Sequence, residues 1–282
     1  YTDFALYGLA AGIIFGEVFF PESTPVMALL QSFAAFSVGF IARPIGAIVF
    51  GMLGDKMGRK FVMVITISLM GLATTCIGLI PSYEKIGAWS AALLVLMRFM
   101  QGLGAGAELS GGAVMLGEYA PVKRRGVVSS IIGLGSNSGT LLASAVWLLV
   151  LQLDHDDLMS WGWRIPFLGS ILIAYIALLI RKHMRETPVF EKQKKQLEKM
   201  RKEAFEKGVE LQKKDKRSFF ARTKAFWVMV GLRIGENGPS YLAQGFIIGY
   251  VVSFLSVDKS VATMSVFVAS VLGFFIIPFS GW

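Results

Sequence analysis

The chain has 282 residues, of which 54% are hydrophobic and 17% charged, with a mean hydropathy of +0.61 and a formal net charge of +9. Soluble domains average about 45–50% apolar and about 25% charged residues, so this balance excludes an ordinary water-soluble fold and points to lipid. The single cysteine, Cys76, excludes an intramolecular disulfide.

A span needs roughly 20 apolar residues to cross about 30 Å of hydrocarbon. The qualifying stretches are 2–20, 26–50, 61–80, 90–116, 127–151, 165–180, 226–255 and 261–279. The first contains Asp3 and Glu17 and lacks basic residues, which sets it apart from a secretory signal. Between the second and third lies the segment 51–60, Gly-Met-Leu-Gly-Asp-Lys-Met-Gly-Arg-Lys. It reads as a tight basic loop closing a hairpin, with glycines letting the helix ends approach.

The remaining loops alternate in charge. Lys56, Arg59 and Lys60 mark the second loop, and Lys123, Arg124 and Arg125 mark the fourth. The segment 181–224 holds 16 Lys/Arg against 7 Asp/Glu, a surplus equal to the whole net charge of +9. The odd loops are poor in cations: 20–24 has none, 81–89 has only Lys85, and 152–163 carries Asp154, Asp156 and Asp157. The positive-inside bias therefore places the even loops in the cytoplasm. The expected organisation is a six-helix half over 1–182, a basic cytoplasmic linker over 183–224 and the first two helices of a second half over 225–282.

In the linker, Glu191–Lys195, Glu198–Lys202, Glu203–Lys207 and Glu210–Lys214 are spaced i,i+4 with the acid first, the favourable order on a helix. Phe190, Leu197, Ala204 and Leu211 add a thin apolar stripe. The linker is either a helix lying on anionic lipid or a solvated, partly helical tether. A nucleic-acid partner would need this charge on a folded basic face, and none is expected.

Ionisable residues inside spans cost several kcal/mol unless paired or hydrated, so each is a functional candidate. Asp3 lies 18 residues before Pro21, or about 27 Å along a helix, near the inner edge of the hydrocarbon. It is either a proton-coupling carboxylate or a helix-end polar group. Arg43 precedes Asp55 by twelve residues and Glu108 precedes Glu118 by ten. Both therefore sit about 15–18 Å from the even loops. A buried Arg43–Glu108 pair follows, either a proton-sensitive switch that releases Arg43 to an anion or a permanent salt bridge. Arg98 and Gln101 share one helix face and suit a carboxylate. In the seventh stretch Arg233, Glu236, Asn237, Ser240, Tyr241 and Gln244 form one stripe around Gly238-Pro239. It is either a cavity lining or an interhelical network. Gly102/Gly106 and Gly135/Gly139 have the spacing that lets helices pack closely in lipid.

Segment 51–60 resembles the signature loop of the major facilitator superfamily, G-x-L-x-D-x-x-G-R-K. Further stretches resemble that superfamily's metabolite:proton symporter branch, which includes shikimate, α-ketoglutarate, citrate and proline/betaine carriers. They are Tyr1-Thr2-Asp3-Phe4, Gly39-Phe40-Ile41-Ala42-Arg43-Pro44-Ile45-Gly46, Arg98 through Glu108, Glu118 through Gly126, Trp161 through Phe167 and Arg185 through Phe190. The resemblance implies an all-α membrane protein with the major facilitator fold, with about eight of an expected twelve transmembrane helices present. It also implies that Gly51, Asp55, Gly58, Arg59, Lys60, Glu118 and Arg125 form a cytoplasmic charge network that controls conformation.

The expected activity is proton-coupled symport of a small organic acid by alternating access; a zwitterion such as a betaine also fits the near-neutral balance of intramembrane charge. Solute, protons and the lipid bilayer are the expected partners of a monomer in a bacterial inner membrane. No metal and no cofactor is expected. The absence of a G-x-x-x-x-G-K-[ST] loop argues against ATP drive, and no catalytic Ser/His/Asp arrangement is discernible. The alternative is a non-transporting remnant that acts as a membrane sensor or scaffold through its linker.

Overall fold

The computed structural model describes residues 2–119, 125–183 and 246–280, with further positions at 196, 227, 228, 231 and 235. The linker is thus almost wholly outside the described residues. The polar stripe from Arg233 to Gln244 is outside them too.

The first stretch is helical in two pieces, α1 (Thr2–Ile13) and α2 (Phe15–Phe19), broken at Ile14, where φ is −136°. Thr24 caps α3 (Pro25–Met57), its hydroxyl accepting from the Met27 amide at 3.4 Å, with Pro25 in the first turn. α3 does not end where the loop was expected. It runs through Gly51 and Asp55 to Met57, because no proline interrupts the helical ladder there. The turn is one residue, Gly58, whose φ of +99° and ψ of 150° suit glycine alone. α4 (Arg59–Leu79) follows directly.

Beyond α4 come the short α5 (Tyr83–Ile86), then α6 (Trp89–Tyr119) and α7 (Arg125–Val150). α8 (His155–Asp157) and one π-helical turn, Leu158–Gly162, lead into α9 (Arg164–His183). The described part of the remainder is α10 (Ile247–Phe254) and α11 (Lys259–Ser280). Among the described residues, Pro25–Gly54, Lys60–Leu79, Gly133–Val150, Arg164–His183 and Lys259–Ile277 are long and apolar enough to cross a membrane. Their outer faces carry exposed Ile41, Leu72, Leu149, Phe275 and Phe279, whereas Thr74, Arg98, Gln101 and Ser144 are wholly buried. Apolar groups outside and polar groups inside suit a lipid surround.

α6 packs against both α3 and α4, and α4 packs against α9. Gly102 and Gly106 make the close contact their spacing predicts. A Cβ at either would fall inside the backbone carbonyl of Gly39 or Arg43 on α3, and one at Gly46 would meet the Leu103 carbonyl. On another side of α6, Gly104 faces Met70 and the Thr66 carbonyl of α4. Gly135 does not behave this way, since a Cβ there meets nothing within 4 Å. The close contact of α7 comes from Asn137, whose amide donates to the Ser270 carbonyl of α11 at 2.6 Å and lies against Gly273.

At the odd-loop end Phe15, Phe19, Trp147, Trp163 and Phe167 form one buried cluster. The Trp147 indole donates to the Leu6 carbonyl at 3.0 Å and fastens α7 to α1. Arg164 lies over Trp163 and donates to the Ile80 carbonyl at 3.1 Å, closing α9 onto the end of α4.

Two glycine substitutions at contrasting sites check this packing. Gly102→Leu should destabilise the protein by at least about 1–3 kcal/mol, seen as a lower unfolding midpoint in detergent. Gly51→Ala, where an added Cβ meets nothing within 4 Å, should be neutral or stabilising. At the turn, Gly58→Ala should cost about 1–3 kcal/mol for the strained backbone alone, read in the same assay.

Candidate functional site

Arg98 is the centre of the site. It is wholly buried, and its guanidinium carbon stands 4.1 Å from the ring centre of Phe4, 4.3 Å from Tyr7 and 4.5 Å from Phe36. Cation–π contacts of this kind are worth about 2 kcal/mol or more when desolvated. The Arg98 Nε donates to the Phe36 carbonyl at 3.4 Å, and Nη1 donates to Gln101 Oε1. Gln101 Nε2 then donates to the Thr74 hydroxyl at 2.8 Å, and Thr74 donates to the Met70 carbonyl at 2.8 Å. The i,i+3 spacing places Arg98 and Gln101 on one face of α6, and the Gly39 backbone on α3 leaves room for the arginine, since a Cβ there would lie 2.8 Å from Arg98 Nε.

Asp3 enters from α1. Its carboxyl interacts with the Thr74 hydroxyl and, through space, with the charges of Arg98 and Glu108. The next residue, Phe4, carries a second guanidinium: Arg43 on α3 lies 4.1 Å from the Phe4 ring centre and 4.4 Å from that of Phe40. One aromatic ring thus touches both arginines. Arg98 is so enclosed that a solute can reach its guanidinium only after the helices rearrange.

Glu108 lies ten residues beyond Arg98 on α6, about 15 Å along the axis. Its Oε1 accepts from Arg181 Nη2 at 2.7 Å. Arg43 was the expected partner of Glu108; the ion pair described for Glu108 is with Arg181, in the last turn of α9. Both side chains keep some exposure, 26% for Glu108 and 17% for Arg181. Nearby, Lys60 Nζ donates to the Lys182 carbonyl at 2.7 Å, supplying positive charge where α9 exposes its last carbonyls.

The signature residues gather at this same end of the bundle. Gly51 and Asp55 lie in the last turns of α3, Gly58 forms the turn, Arg59 and Lys60 open α4, Glu118 closes α6 and Arg125 opens α7. For Asp55, Arg59, Glu118 and Arg125 only the backbone is described. Arg233, Glu236, Asn237, Tyr241 and Gln244 lie outside the described residues.

Comparison with known proteins decides what kind of site this is. Residues 13–253 match the model of the family described as "Sugar (and other) transporter". The chain belongs to this transporter family of the major facilitator superfamily. It is 44% identical over 281 residues to YdfJ of Escherichia coli (strain K12), covering 99% of this chain and 63% of that protein. It is 36% identical over 249 residues to the shikimate transporter of the same organism, covering 88% of this chain and 55% of the relative. The crystal structure of a D-xylose-proton symporter matches with a TM-score of 0.68 at 18% identity, over 96% of this chain and 64% of that one. The chain thus spans between half and two thirds of the length of these relatives. The family and the fold are those of transporters, not of enzymes, and the major facilitator fold expected from the resemblance is the one found.

Within a transporter of this fold, several site residues carry no sequence signal. Thr74 is a hydroxyl in an apolar run, and Phe4, Tyr7, Phe36 and Phe40 read as ordinary membrane aromatics. Arg181 merges in sequence with the basic linker, although it belongs to the last turn of α9. Thr74→Val should test the network. It takes away the acceptor of the buried Gln101 amide and should cost about 1–3 kcal/mol, measured as a loss of thermal stability in detergent.

Proposed function

We propose that this chain forms part of a proton-coupled symporter for a small organic acid or a related zwitterion. The observation that carries this reading is the placement of Asp3, an intramembrane carboxyl, against Arg98 and Thr74. When ionised, Asp3 neutralises the Arg98 charge. When a proton enters from the odd-loop side and binds Asp3, that neutralisation is lost. The positive field of Arg98, with that of Arg43 across the Phe4 ring, then favours an anionic group in the adjoining cavity. Thr74 has a single hydroxyl hydrogen, now given to Met70, so an ionised Asp3 competes for it and a protonated Asp3 does not. Proton and solute are thereby bound together, and release of the proton ends the attraction.

The names of relatives agree with this range of solutes: they include a shikimate transporter and proline/betaine transporters of Escherichia coli. Alternating access would rock the first six spans against the second half. In this reading the membrane is a bacterial inner membrane and the even loops face the cytoplasm. At the opposite end Lys259 of α11 binds Glu17 of α2 at 3.0 Å, with His155 3.9 Å from the same carboxylate. That pair ties the two halves and has to part when the odd-loop end opens.

The test is proton entry into proteoliposomes reconstituted with the protein and challenged with shikimate, dicarboxylates, citrate and betaines. One compound should trigger proton entry. Asp3→Asn should abolish that entry while solute counterflow continues. Protein shown to be folded that passes no protons with any of these solutes would defeat the reading.

A further inference from the structure

We propose that Glu108 is the second station of the proton path, receiving the proton from Asp3 and passing it toward the even-loop side. This inference rests on Asp3 as the coupling carboxyl. The order along the bundle is set by packing. Arg98 and Arg43 both touch Phe4, the neighbour of Asp3. One step further, Gly106 of α6 packs on the Arg43 carbonyl, and Glu108 follows two residues later. The carboxyls of Asp3 and Glu108 are near enough to repel each other through space, and each has its own arginine, Arg98 for Asp3 and Arg181 for Glu108.

The Glu108–Arg181 pair joins α6 to α9, two helices of the same half. It therefore does not have to break when the halves rock, and a gating role does not account for it. Its partial exposure distinguishes it from Arg98, which is fully enclosed. Water can reach Glu108 while Asp3 is still shielded. The charged groups around Glu108 are Arg181 from α9, Asp3 from α1, Arg43 from α3 and, on α4, Lys60, which is bonded to the Lys182 carbonyl.

The step is a proton transfer between two carboxyls. The O–H bond of protonated Asp3 breaks, and an O–H bond forms on a Glu108 oxygen, directly or through one water. Asp3 is left ionised beside Arg98, which restores its resting partner. Neutral Glu108 loosens its hold on Arg181, releases the proton to water at the even-loop end and re-forms the ion pair. The two carboxyls are never both required to be charged without a guanidinium. Repulsion between their charges favours one shared proton.

The experiment compares solute-triggered proton entry and solute counterflow in proteoliposomes holding wild type, Glu108→Gln, Glu108→Asp and the double variant Glu108→Gln/Arg181→Gln. The relay predicts that Glu108→Gln lowers proton entry on the order of 100-fold while counterflow persists, which shows the variant to be folded. Glu108→Asp should retain part of the coupling. The double variant removes both charges together and should stay uncoupled. Recovery of coupling in the double variant would make the pair a structural staple and overturn the relay. Full coupling in Glu108→Gln would overturn it as well, leaving Asp3 as the only coupling group. Absence of proton entry in the wild type would instead defeat the symport reading and the relay with it.

Discussion

Placing the Arg98 guanidinium inside an apolar bundle costs several kcal/mol unless the surrounding helices supply hydrogen bonds and counter-charge. Much of the local architecture answers that demand. α6 provides Gln101, α4 provides Thr74 to hold Gln101, α3 provides the Phe36 carbonyl, and α1 provides Asp3 with the rings of Phe4 and Tyr7. Four helices are thereby fixed in register around one charge. No one of them can shift along its axis without exposing a polar group to hydrocarbon, where nothing would satisfy it.

Such convergence needs helices close enough for short side chains to meet. The glycines on α6 serve this purpose on two sides. Gly102 and Gly106 let α3 approach until backbone touches backbone, and Gly104 does the same toward α4. Close approach of α3 brings the Phe36 carbonyl and the Arg43 stack to the site. Close approach of α4 brings Thr74 within reach of Gln101. The packing and the polar network are one construction, because widening either interface would stretch the hydrogen bonds that compensate the buried charge.

Some of this was legible in the sequence. Long apolar runs bounded by prolines, glycines and charges locate α3, α4, α7, α9 and α11 within a few residues. The i,i+3 spacing of Arg98 and Gln101 and the i,i+4 spacing of Gly102 and Gly106 identify faces that do meet other helices. Spacing cannot say what stands opposite, however. Gly135 has a similar pattern to Gly102 and faces open space, while the contact of α7 with α11 falls to Asn137. The segment before Gly58 looks like a loop because it is rich in glycine and charge. Those residues tolerate helix when nothing breaks the ladder, and α3 extends through them. The break at Ile14 has no local breaker at all. It coincides with the aromatic cluster of Phe15, Phe19 and Trp163, a tertiary contact that no window of sequence contains. Arg181 was hidden for another reason: charge counting pooled it with the linker, whereas burial beside Glu108 gives it a separate place.

The contacts across to α10 and α11 have a different character from those around Arg98. They consist of Gly249 against Gly12 and Leu29, Phe33 against Phe246, Asn137 bonded to a Ser270 carbonyl, and the solvent-facing Glu17–Lys259 pair. Partly exposed ion pairs contribute about 0–1 kcal/mol, and small-residue contacts lack interlocking side chains. Breaking these contacts leaves no buried charge unpaired among the described residues, whereas separating α1, α3, α4 and α6 would strand Arg98. The described interfaces therefore differ in what they can give up. Motion is cheapest where the two groups of helices meet, and the charge-bearing cluster travels as a unit. A proton bound at Asp3 stays within that unit, so the electrostatic state of the site can change without dismantling the helices that hold it.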